Sequence, residues 1–216
     1  MRLPRQVAGL VGYPAFERPG SNELYGRLTS MPPLNISTIP PSYPWVHNMT
    51  FRTISLISSR NNAAQRSHFA IFVPAESNPD QGTLIKAAGA PMTGYELEFT
   101  RNYSPAEETE KYTAFPIGEI DSIHIVDPPP EAKGIDLTPQ GDIETAAAEI
   151  PTPGISENFL APVNDFSNKR CQEWTMEYVR HLVSKRLLSS DAIQIVQSKR
   201  DPPGHGVGLQ SIRRES

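Results

Sequence analysis

The sharpest helical pattern in the chain falls late. Cys171, Trp174, Tyr178 and Leu182, with Thr175, Val179 and Val183 beside them, recur at i, i+3, i+4, i+7 and i+8, the spacing of one helix face. A second, shorter helix is predicted from Asp191, carried by Ile193, Ile195 and Val196 and capped by Ser190-Asp191. Upstream the period falls to two. Phe51–Ser58 is β-rich, and Ser67–Pro74 is a nearly continuous apolar run that suits a central strand covered on both faces. Thr83–Ala88 reads as a third strand. Tyr95–Phe99 alternates cleanly, with Tyr95, Leu97 and Phe99 on one face and Glu96 and Glu98 on the other. Tyr112–Gly118 is weaker and belongs at an edge, because Pro116 lacks the ladder N–H. Ser122–Val126 completes the predicted strand series.

Proline divides this pattern into ordered and irregular parts. The chain has 216 residues and 22 prolines, and many of these lie in two segments. Residues 1–49 show neither period, and we read them as a Pro-rich disordered arm. Its Tyr43-Pro44-Trp45 group is placed to tuck against the following domain, so a protein partner through the arm is a further expectation. Residues 127–164 form a Pro-rich insertion with at most a turn of helix at Thr145–Ala148, inside a single domain spanning 50–200. Residues 201–216 read as a flexible tail. The predicted class is α+β, a mostly antiparallel sheet packed by the cysteine-bearing helix.

Charge and cysteine usage narrow the chemistry. Formal net charge is −4 with no long run of either sign, which points away from nucleic acid. No apolar run approaches a membrane span. A single cysteine cannot form an internal disulfide, and the basic N-terminus is a poor signal peptide, so a reducing, cytoplasmic setting is expected. The three Asn-x-Ser/Thr sequons are then chance matches. One cysteine with scattered histidines lacks the ligand spacing of a zinc site, and no metal or cofactor is expected.

The lone cysteine is also the chief candidate for chemistry. With Asn168 as N-cap, Cys171 takes the third helical position, where unpaired N–H groups favour a thiolate, the reactive form. Lys169 and Arg170 act in the same sense. The alternative is that Cys171 is a small buried apolar residue in a helix docked on a sheet. A nucleophilic thiol needs a base in reach. His47 and His205 lie in irregular segments, His124 in a predicted strand, and His181 about 280° round the helix from Cys171. His68, opening the central strand, is the best placed.

Ser67-His68-Phe69-Ala70-Ile71-Phe72-Val73, followed by Gly82-Thr83-Leu84-Ile85, resembles the His-Trp-Ala-Ile-Tyr-Val … Gly-x-Val-Ile pattern of lecithin:retinol acyltransferase-like proteins. These are circularly permuted members of the papain-like (NlpC-type) superfamily. Asn168–Val179 is similar to their Asn-Cys-Glu-His-Phe-Val block, and the order, histidine strand first and cysteine helix last, is the permuted one. The chain also resembles fungal proteins of unassigned function that share His-Phe-Ala-Ile/Leu-Phe-Val-Pro and Cys-Gln-x-Trp blocks. The resemblance implies a thiol hydrolase or acyltransferase acting on a small acyl, ester or amide substrate, with Cys171 as nucleophile and His68 as base. The third polar position falls on Lys86, a departure, since an ammonium cannot accept the imidazole N–H and opposes an imidazolium. Glu96 or Glu98 takes that role instead, or the pair is a dyad, or activity is lost. In the last case the fold serves as a binding or scaffold module.

Overall fold

The computed structural model describes residues 50–108 and 110–207, and the arm expected over 1–49 lies outside them. Six strands form one sheet: β1 (Phe51–Ser59), β2 (His68–Pro74), β3 (Gly82–Ala90), β4 (Gly94–Tyr103), β5 (Tyr112–Asp121) and β6 (Gly134–Asp136). Their spatial order is β5-β1-β2-β3-β4-β6, and every neighbouring pair is antiparallel. Pro116 falls where the β1–β5 register shifts, on an edge strand where a missing N–H disrupts least.

Three helices, α1 (Gly141–Ala148), α2 (Cys171–Ser184) and α3 (Asp191–Lys199), cover one face. Strand alternation sends Phe69, Ile71, Ile85, Ala87 and Phe99 to that side, where they meet Ile143, Trp174, Tyr178, Leu182 and Val196 in the main core. Trp174 and Tyr178 stack at 5.4 Å. On the reverse face Ile57, Ala70, Phe72 and Leu84 make a small cluster with Tyr103. β2 is therefore central and apolar on both sides, but among the described residues only one side carries helices. The architecture is α+β.

Three expectations change. Ser122–Val126 is not a strand: residues 122–124 form a 3-10 turn, because the Asp121 carboxylate accepts the Ile123 N–H and bends the chain. The Pro-rich segment contributes β6 and a two-turn helix, α1, rather than a single turn. It is tied down by Arg101, whose guanidinium donates to Glu144 at 2.9 Å and to Asp136 at 3.0 Å. Burial of Ile143, Ala146 and Ala147 makes this insertion part of the core. Ser190 precedes α3 as expected, yet its hydroxyl makes no capping bond.

Candidate functional site at the start of β2

The first turn of α2 meets the chain just ahead of β2. Helical geometry begins at Cys171, with Arg170 as the flanking residue, so Cys171 is the first helical residue and not the third. Asn168 is not the cap. Its amide is committed to the preceding loop, accepting from Ser156 Oγ at 2.7 Å and donating to the Ala161 carbonyl at 3.0 Å. A guanidinium has no acceptor to offer the free N–H groups, and the third helical residue compensates: Glu173 Oε2 accepts the Arg170 N–H at 3.1 Å.

Glu173 anchors a buried ionic network. Its side chain is fully excluded from solvent, and Oε1 accepts from Arg66 at 2.6 Å and Arg200 at 2.8 Å. Beside it Gln172 Nε2 donates to the Ser67 carbonyl at 2.9 Å and to Asp201 at 2.8 Å, while Asp201 N–H donates back to Gln172 at 2.9 Å. Asp201 also accepts the Ser67 N–H at 2.7 Å and the Arg60 guanidinium at 2.9 Å. Asp201, assigned to a flexible tail on composition alone, is thus a clasp joining loop 60–67, α2 and the segment after α3. Residues 208–216 of that expected tail lie outside the described residues.

Cys171 sits within this frame, 7% exposed, with its thiol donating to the Ser67 carbonyl at 3.8 Å. Burial pushes the thiol up to about 11. The Phe69 N–H and Arg66 favour the thiolate, but desolvation is the largest effect and Glu173 adds to it. Tyr95 lies near on the helix side, its phenol raised first by burial and then by Cys171. At neutral pH the sulfur is a protonated donor.

His68 occupies the other face. It shares strand parity with Ala70 and Phe72, whereas the neighbours of α2 are Phe69 and Ile71. Burial, then the Lys86 ammonium, hold its imidazole down at about 4, and Glu110 only partly opposes them. Among the described residues no hydrogen bond joins His68 to Cys171. The expected nucleophile and base are not brought together: the helix carrying the sulfur packs on the side of the sheet that His68 leaves.

His68 and Lys86 are brought together. Both line a cleft of about 440 Å3 on the helix-free face, floored by Ile57, Ala70 and Leu84. Neither Glu96 nor Glu98 bonds His68: Glu98 stands opposite Lys86 in the β3–β4 register, 3.6 Å from its ammonium, and Glu96 is exposed. The remaining described histidines serve elsewhere, His124 on Asp142 at 2.7 Å, His181 on Glu149 at 2.5 Å and His205 on the Gln65 carbonyl at 3.2 Å. Sequence reading missed Arg60, Arg66, Arg200 and Asp201. Glu173 stands three residues beyond the observed cap, but an arginine at that cap gives no capping-box signature in the sequence. Among the described residues no cluster of His, Cys, Asp and Glu could hold a metal ion, and no helix is long and apolar enough to cross a membrane.

These features define an α+β protein with a one-sided helical cover and a polar cleft on its bare side. The chain belongs to DUF6540, a family of unknown function whose model matches residues 54–189. That span runs from β1 to just beyond α2 and includes His68, Lys86 and Cys171. No curated protein and no solved structure matches the chain.

Proposed function

We propose that this chain is a binding module on a permuted papain-like scaffold, silent as a thiol enzyme, with the cleft beside His68 and Lys86 as its ligand site. The scaffold reading is supported by the order of the parts, histidine strand before cysteine helix, and by an antiparallel sheet packed by that helix. The observation that carries the functional reading is the segregation of sulfur and imidazole to different sides of β2. A thiol hydrolase or acyltransferase deprotonates its cysteine through a base in hydrogen-bond reach. Here the thiol is buried, protonated and bonded to a main-chain carbonyl. The imidazole opens instead into a cleft whose volume is that of a small-molecule site. A buried, reduced cysteine fits a cytoplasmic setting.

The test is the rate of iodoacetamide alkylation of Cys171 against pH. The expected curve is slow at neutrality and has no inflection below the free-cysteine value of about 8.5. An inflection near pH 6 to 7, abolished in His68→Ala, restores the hydrolase and overturns the proposal. Cys171→Ala is expected to keep both the fold and the cleft.

A further inference from the structure

The cleft on the bare face of the sheet holds more hydrogen-bond donors than the described residues use. Three cationic side chains line it, Arg60, Arg66 and Lys86, against two exposed carboxylates, Glu108 and Glu110. Arg60 commits one nitrogen, Nη2, to Ser67 Oγ and Asp201, and among the described residues its Nη1 and Nε have no acceptor. Arg66 is already engaged: its side chain is 6% exposed, Nη2 donates to Glu173 at 2.6 Å and Nη1 to the Pro202 carbonyl at 3.0 Å. Among the described residues Lys86 pairs only with Glu98, at 3.6 Å, outside hydrogen-bond length. The His68 ring makes no hydrogen bond to any described residue. The floor beneath these groups, Ile57, Ala70 and Leu84, is apolar.

We propose that this cleft binds a small amphiphilic oxyanion, its carboxylate or phosphate head held by Lys86 and Arg60 and its short apolar body laid over Ile57, Ala70 and Leu84. The inference rests on the binding-module reading and names its ligand class. Head and body are each needed: the cations fix the charged end, and the floor excludes water from the other. Glu108 and Glu110 on the rim disfavour a second negative charge at the far end of the ligand.

The full chain is titrated with hexanoate, hexyl phosphate and 1-hexanol, followed by the methyl resonances of Ala70 and Leu84. At least one anion is expected to bind tenfold or more tighter than hexanol, and raised salt should weaken it. Its identity assigns the head as carboxylate or phosphate. Lys86→Gln should lower anion affinity about tenfold and leave hexanol unchanged. Ala70→Phe fills the floor and should abolish all binding, and Ser59→Trp at the mouth serves in its place if that variant does not fold. Hexanol binding as tightly as both anions, with loss in the filled variant, overturns the oxyanion class and leaves the binding module standing. No response to any probe, or a response that survives both filling substitutions, overturns the binding module as well.

Discussion

The two faces of the sheet are built from the same strands and do different work. The face under α1, α2 and α3 is sealed: it carries the main core, and the α2 amino end is locked by Glu173 and Asp201. The opposite face has a small apolar cluster that floors a cleft where His68 and the cations keep donors the described residues do not use. Placed on the sealed face, a cysteine becomes packing, because desolvation outweighs the favourable N–H of Phe69. Placed on the bare face, a histidine stays neutral yet faces the solvent side. The lesson is that chemical potential in a sequence motif depends on which side of a strand each residue takes.

The contrast can be broken first through the ionic anchor. Glu173→Ala leaves Arg66 and Arg200 facing a buried void and should cost about 3–5 kcal/mol in urea unfolding. Core truncations measure the faces directly. Phe69→Ala, under the helices, should cost about 3–5 kcal/mol, and Phe72→Ala, on the bare face, close to half that. Equal losses would mean that the bare face is as tightly packed as the covered one.

Acid separates the two sides next. His68 is held at about 4 in the folded state against 6.5 when free, so the unfolded chain binds the extra proton first as pH falls. Its contribution is intact above about pH 6.5 and is lost progressively down to pH 4, on the order of 3 kcal/mol. His68→Phe should flatten that part of the stability profile. On the alkaline side the Cys171 thiol, raised from 9.0 to about 11, stabilises the fold below pH 9 and loses that contribution as pH rises through 11. Cys171→Ala should shrink the alkaline limb, to which the raised phenols of Tyr95, Tyr103 and Tyr178 also contribute, and leave the acid one. The smallest effect belongs to Lys86→Gln, which takes away a neighbouring positive charge and should raise the His68 value measured by NMR titration.

Most of the frame was legible in the sequence. The alternation of Tyr95–Phe99 specified a strand with its glutamates outward, Pro116 marked the edge, and the Cys171–Leu182 spacing marked the helix that fills the core. The facing of His68 was not legible. In His-Phe-Ala-Ile-Phe-Val both parities are apolar, so no polar residue reports which side meets the helix, and a short motif resembling a catalytic strand carries no such information either. The Asn168 cap failed because a competing acceptor, Glu173, lay inside the helix, and Ser122–Val126 failed because Asp121 captured a local N–H. The clasp at Asp201 had no local signal at all, since its partners are distant in the chain.

That clasp fixes an order of events. Asp201 closes on the main chain of Ser67 across 134 residues, and Gln172 reaches the same residue across 105. Contacts so distant form late and slowly, because the loop entropy falls due before the bonds can form. During synthesis the hairpins of β1 to β4 emerge from the ribosome long before Asp201 does, and until then the nascent sheet carries its seam open.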